Sequence, residues 1–435
     1  MPMRHWFKDQ HFRSLLKNTS YLAVSKGVAA VASIATLAFT GRALGLETFG
    51  LLILIASYAQ AANGLSKFQS WQLVIRYGGA ALAKGDEASF KRASSFALGL
   101  DLTSGLIGMA AALLLLPMIG GWFGIGSDLL TYALLYCLLI PTMGASSPSG
   151  MLRAMDRFDL ISWQGVMTPI TRAVLAGAGY WQGWDLPLFI ALWAATDLIG
   201  DLFLWFLAWR ELKRRKLSAG IRPSLSARDL PNAWPFAIQV NLTSSLMAAW
   251  GPVARLIVGG LLGPASAALY RVAATLADSA QKPADLLAKA YYPEVVRMDL
   301  TTKKPWRLML RGTALAGTFG VAAVLLLLVG GKPLIDALFG NGFLGVYPVL
   351  MIMVGVPLLW IVSFPLPSML YALDRPDAPL KARIIGVICY FAIVAPLCWR
   401  YEVQGAAMAI VIGNAVVIAG LLWQLRREHR RVRTQ

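Results

Sequence analysis

The sequence predicts an all-α integral membrane protein, with twelve transmembrane helices in two six-helix lobes related by a pseudo-two-fold axis along the membrane normal. Three observations predict it. The 435 residues are 57% hydrophobic and 14% charged, a balance that belongs in a bilayer rather than in water. Apolar runs long enough to cross a hydrocarbon core of about 30 Å recur along the whole chain. One sequence, MLRAMDRFD at 151–159, returns as MLYALDRPD at 369–377, 218 residues later.

Taken in order, residues 1–18 form a basic, partly apolar cytoplasmic segment without the short core and small-residue site of a cleavable signal. Candidate spans follow at 19–41, 49–75, 92–118, 128–150, 160–181 and 186–209, the first lobe being 19–209. Residues 210–232 read as a solvated basic cytoplasmic linker. Spans at 233–259, 265–290, 307–330, 345–371, 380–400 and 403–425 make the second lobe, 233–425, and 426–435 is a basic cytoplasmic tail. Pro141 and Pro148 in the fourth span, and Pro357, Pro365 and Pro367 in the tenth, predict kinked helices there.

Charge orients the chain. Of 40 Lys and Arg, 29 lie in the segments on the N-terminal side of the membrane and the helix ends flanking them. The opposite side holds Arg42, Lys332 and Arg400. This positive-inside pattern places both termini in the cytoplasm. The net charge of +18 is thus topogenic and implies no nucleic-acid partner. His5, His11 and His429 sit in the polar ends, and Cys137, Cys389 and Cys398 in apolar runs without ligand spacing, so no metal site or disulfide framework is expected.

The repeat extends beyond one motif. The same offset carries Gly41, Leu44 and Gly45 onto Gly259, Leu262 and Gly263. Two separated matches in one register predict duplication of a six-helix unit, and six being even, the copies run parallel.

Span 8 carries a charged spine of Arg271, Asp278, Lys282, Asp285 and Lys289, with Thr275 beside it. At about 100° per residue these fall on one face, along roughly 27 Å. Five charges facing lipid would cost about 2.5–3.5 kcal/mol each, so they face water or a partner. Either they line a substrate path, or alternating signs neutralise one another. Span 2 has a polar stripe at the equivalent position, Ser57, Gln60, Asn63, Lys67 and Ser70. Span 1 carries Lys26 with Ser33, Thr36 and Thr40, and span 7 carries Asn241, Ser245 and Arg255. In the first lobe Arg172 and the i, i+4 pair Asp197/Asp201 read as mutual neutralisation, or with Asp101 as candidates for proton or sodium coupling. Asp156–Arg157 and Asp374–Arg375 read as helix-end and loop pairings.

The LG…FG signature after span 1, GMLRAMDRF after span 4, and two six-helix halves resemble the polysaccharide-transporter flippases, the O-antigen and capsule repeat-unit flippases of the multidrug/oligosaccharidyl-lipid/polysaccharide exporter superfamily. The resemblance implies a cleft between lobes lined by spans 1, 2, 7 and 8, alternating access, and no enzymatic activity. It implies an undecaprenyl-pyrophosphate-linked glycan as cargo, moved from the cytoplasmic to the periplasmic leaflet of a bacterial inner membrane for O-antigen, lipopolysaccharide or exopolysaccharide biosynthesis. A polysaccharide polymerase and other assembly proteins would then be partners.

Such cargo needs cations for its phosphates and hydroxyls and amides for its sugars. The expected headgroup contacts are Lys26, Lys67, Arg255, Arg271 and Lys282. Ser57, Gln60, Asn63, Asn241, Thr275, Asp278 and Asp285 would line the path. A multidrug or organic-cation antiporter of the same superfamily should have an acidic cavity, whereas these in-span charges are net basic. A lipid II flippase is a weaker alternative because such proteins usually add two C-terminal helices. A membrane enzyme would need a sizeable catalytic loop, and the loops here are short.

Overall fold

The computed structural model describes residues 10–296, 304–372, 375 and 377–434. Asp374 and the side chains of Lys282, Asp285 and Lys289 lie outside the described residues. The described chain is helical with no strand, and six of its helical runs are long and apolar enough to cross a membrane.

Breaks in these helices position the polar side chains. Gly45, at φ 73°, divides the run Gln10–Ser66 into α1 (10–44) and α2 (46–66). Its repeat partner Gly263 also has positive φ, 87°, a region where a Cβ is strained, so the matched glycines mark the same turn in both copies. After α2 the chain leaves helical geometry at 67–69. It continues through α3 (Ser70–Leu73), a π-helical turn at Val74–Gly79 and α4 (Ala80–Ala83). The stripe expected along span 2 is therefore interrupted, and Lys67 and Ser70 do not share one regular face with Ser57.

Next come α5 (Glu87–Ile119), α6 (Ser127–Cys137), α7 (Ser146–Ala154), α8 (Phe158–Gln182) and α9 (Leu186–Arg214). The fourth span is more than kinked. Between α6 and α7 residues 138–145 run as turns, which exposes backbone groups that other side chains must satisfy. The second half contains α10 (Ala233–Trp250), α11 (Pro252–Leu262), α12 (Pro264–Val296) and α13 (Lys304–Phe339). The tenth span follows as α14 (Val346–Met353), α15 (Gly355–Ser363) and α16 (Pro365–Ala372). Non-helical geometry at Tyr401 and Glu402 splits Asp377–Thr434 into α17 (377–400) and α18 (403–434).

The chain forms two compact units. One contains the residues up to Ala43 and Ile55–Ala254, the other Leu44–Leu54 and everything from Arg255. The core of the first joins Phe90, Phe96, Leu152 and Leu204 with Leu217, Ile221 and Leu230. Those last three belong to the linker, which is thus not simply solvated. Ser224 N–H donates to Ser95 O at 3.0 Å and Arg222 N–H to Ser95 Oγ at 3.2 Å. A Cβ on Gly99 would stand 2.3 Å from Ser224 O, so glycine is what lets the strap lie on α5. Leu217, Ile221 and Leu230 face inward while the basic side chains of the linker keep the outer face.

Candidate functional site: two polar centres in the two units

The first unit holds a charged network around the broken fourth span. Lys67, 6% exposed, sits where α2 has ended. Its ammonium donates to Pro141 O at 3.0 Å and to Met143 O, two carbonyls freed by the unwound stretch. Asp101 of α5, 4% exposed, accepts from Ser147 N–H at 2.8 Å and from its hydroxyl at 2.6 Å, and so caps the start of α7. Ser70 Oγ lies 3.1 Å from Ser147 Oγ. Asp201 of α9 accepts from Gly144 N–H at 3.3 Å. Three side chains from three other segments thus take up the backbone groups that the break releases. Lys67 lies close enough to Asp101 and Asp201 for their charges to act on it.

The network continues along α9. Arg172 of α8 pairs with Asp197 and donates from Nε to Thr196 Oγ1 at 2.7 Å. Tyr136 OH donates to the other Asp197 oxygen at 2.7 Å. Of the expected acid pair, then, Asp197 engages Arg172 directly, while Asp201 turns one helical turn away to the unwound backbone. Ser57 is buried, Gln60 and Asn63 are half-buried, and Oδ1 of Asn63 and of Asp101 is buried without a hydrogen-bond partner among the described residues. Lys26 is exposed, and Asn241 accepts from Ser245 Oγ at 3.3 Å. Ser147, Tyr136 and Thr196 were not singled out by sequence reasoning. Their only local signal is the SSPSG run beyond Pro141, which marks a break without naming its partners.

The second unit holds a different centre. Arg255 of α11 is 6% exposed, with Arg271, Tyr270 and Asp278 of α12 in its electrostatic reach. Asp278 is exposed and Arg271 half-buried. The Thr275 hydroxyl donates to Arg271 O at 2.9 Å, closing on its own helix. One guanidinium from α11 and one from α12 thus stand with one carboxylate among the described charges of this centre.

A third feature occurs in both units. Arg157 donates to Asp159 at 2.8 Å and to Glu211 near the end of α9 at 2.5 Å. Its repeat partner Arg375 donates to Asp377 at 3.3 Å and to Glu428 near the end of α18 at 2.5 Å. The turn is the same in both: Arg157 N–H reaches Leu152 O at 2.8 Å, and Arg375 N–H reaches Leu370 O at 3.0 Å. Hydrogen bonds from Lys381 and Arg375 hold the Asp377 carboxyl down at about 2. Burial alone would raise Glu211, but its bonds to Arg215 and Arg214 and the Arg157 charge leave it below the usual range. This clasp ties the entry of each unit's fifth span to the exit of its sixth.

Comparison with known proteins places this architecture. A model of polysaccharide biosynthesis proteins matches residues 15–298. The inner membrane protein YghQ of Escherichia coli (strain K12) is 37% identical over 347 residues, covering 79% of this chain and 98% of that protein. Among solved structures, the inward-facing form of a multidrug resistance MATE family transporter of the MOP superfamily aligns with TM-score 0.66 at 16% identity, over 95% of this chain and 96% of the other. The lipid II flippase MurJ in an inward closed conformation aligns with TM-score 0.65 at 13% identity, over 94% and 89%. At those identities the structural likeness speaks for the fold. The chain is a multi-pass membrane protein of the polysaccharide biosynthesis protein family.

Proposed function

We propose that the protein is a flippase that carries an undecaprenyl-pyrophosphate-linked oligosaccharide from the cytoplasmic to the periplasmic leaflet of a bacterial inner membrane by alternating access. The observation that carries this reading is the cationic centre of the second unit, where Arg255 is buried within electrostatic reach of Arg271 and Asp278. A buried and a half-buried guanidinium side by side suit a pyrophosphate, which accepts paired N–H donors. Lys26 and Lys282 complete the proposed headgroup contacts. Lys67 leaves that set, because its ammonium is occupied by Pro141 and Met143.

In this reading Asp101, Asp197 and Asp201 form the coupling centre, where a proton or sodium ion exchanges. Ser57, Gln60, Asn63, Asn241, Thr275, Asp278 and Asp285 serve the glycan path. The moving lobes are 19–209 and 233–425, with the 210–232 linker and both termini cytoplasmic.

The test is complementation of surface-polysaccharide assembly in a flippase-null strain, with protein level measured in the membrane. Arg255→Gln and Arg271→Gln are expected to lose transport while inserting normally, since removing charge lowers insertion cost. Normal assembly with both variants would overturn the reading. The three acids against two bases in the polar centre of the first unit favour a second reading, export of an organic cation. Efflux of cationic dyes that survives Arg255→Gln but fails with Asp201→Asn would select it.

A further inference from the structure

A groove of about 660 Å³ opens in the first unit between α1, α8 and α9. Its charged groups, Asp159 and Arg210, lie near the start of α8 and the end of α9, Ser25 and Ser162 are its other polar groups, and its walls are otherwise apolar, with Val28, Trp163, Val166 and Phe206 among them. From Asp159 to Val166 is seven residues, about 10 Å along a helix, so the groove is confined to one leaflet of a core about 30 Å thick. Trp163 and Phe206 are 55% and 58% exposed, which leaves wide aromatic surface for a chain lying against them.

The charges at the rim are not equivalent. Asp159 is already neutralised by two bonds from Arg157, both under 3 Å. Arg210 is exposed and forms no hydrogen bond or ion pair with another described residue. The rim therefore carries net positive charge above an apolar slot, the pattern that fits an amphiphile with an anionic head. The volume falls within the range of about 300–1,000 Å³ usual for ligand sites. A polyprenyl chain of the proposed cargo would overrun a slot one leaflet deep, whereas a phospholipid chain would not. We infer that this groove binds an anionic phospholipid of the linker-side leaflet, with its phosphate on Arg210 and one hydrocarbon chain between α1, α8 and α9.

The test uses the full-length protein, purified and stripped of lipid in detergent, titrated with phosphatidylglycerol or phosphatidylcholine and read by native mass spectrometry. Phosphatidylglycerol should bind about fivefold more tightly than phosphatidylcholine, and Arg210→Gln should erase that preference. Val166→Trp and Val28→Trp, which fill the slot from two different helices, should each abolish the bound-lipid peaks while leaving the melting temperature unchanged. Equal binding of the two lipids, unchanged binding in both filled variants, or displacement of phosphatidylglycerol by equimolar polyprenyl phosphate would overturn the proposal.

Discussion

The broken fourth span of the first unit and the broken tenth span of the second solve the same problem with opposite chemistry. Around residues 138–145 the freed backbone is held by charges, with Lys67 on two carbonyls and Asp101 and Asp201 on two amides. The tenth span is jointed at Val354 and Phe364; hydrogen bonds between neutral groups hold it, and the cations near it, Lys332 and Arg383, lie over the rings of Tyr347 and Trp360. Trp360 Nε1 donates to Asn414 Oδ1 at 2.8 Å, Ser363 Oγ to Leu359 O at 2.6 Å and Thr313 Oγ1 to Val362 O at 3.1 Å. At the repeat offset Asp101 becomes Phe319, Arg172 becomes Tyr390, and Asp197 and Asp201 become Ala415 and Ala419. Ala415 lines an apolar cavity of about 590 Å³. Duplication has thus kept the breaks and the clasps but divided the charge. The described polar centre of the first unit has three acids against two bases, and that of the second has two bases against one acid. A cation suits the first centre and an anion the second.

The comparison breaks most sharply at Lys67. Lys67→Met strands a buried carboxylate, a half-buried one and two carbonyls, a loss of about 3–5 kcal/mol, measurable as a large fall in melting temperature in detergent. Adding Asp101→Asn should recover part of it. If Lys67→Met leaves the melting temperature unchanged, the ammonium is not what holds the break.

Arg255→Gln should act on transport rather than on folding, by about 10- to 100-fold if one or two charge-assisted bonds to the cargo are lost. The assay is flipping of lipid-linked oligosaccharide in proteoliposomes, with the melting temperature as control. Equal loss of stability in Lys67→Met and Arg255→Gln would erase the distinction between the two centres.

The clasps should behave alike in both units, because their geometry is repeated. Glu211→Gln and Glu428→Gln should each lower stability, Glu211→Gln by roughly 2 kcal/mol since its carboxylate serves Arg157, Arg214 and Arg215. Hydrogen exchange should rise at the 152–158 turn in the first variant and at 370–378 in the second, without crossing over.

The smallest expected effect is that of pH on the second clasp. Because the Asp377 carboxyl is held at about 2, below its ordinary value, the stability it contributes is present above the ordinary range. It is lost as pH falls through 2. Asp377→Asn should therefore lower the melting temperature by the same small amount at pH 5 and pH 8. A difference between those two values would mean that the carboxyl titrates higher.

What the sequence disclosed follows from how local each interaction is. Long apolar runs and the Leu-Gly turns at Gly45 and Gly263 are written in neighbouring residues. The repeated motif was read as Asp156–Arg157 and Asp374–Arg375, whereas the structure binds Arg157 to Asp159 and Arg375 to Asp377, two positions on. Their further partners, Glu211 and Glu428, lie 54 and 53 residues away. The Lys67 placement was hidden for the same reason. Its acceptors are 74 and 76 residues on, and a carbonyl carries no side-chain signature. Reading Lys67 by its charge alone put it with the headgroup contacts. Nor does anything in VIRYGG announce the π-helical turn that follows.

The capped break also sets an order on how the protein is made. Helical spans satisfy their own backbone as they enter the bilayer, so each is complete on insertion. Residues 138–145 and the first turn of α7 are not: their partners arrive from Lys67 and Asp101, already synthesised, and from Asp201, which leaves the ribosome more than fifty residues later. The fourth span must therefore enter the membrane unfinished and wait for the sixth. Until α9 is in place, Gly144 has no carboxylate and Lys67 has one acid neighbour instead of two. A nascent chain stalled before Asp201 should be a substrate for membrane quality control, whereas one stalled a few turns after it should survive.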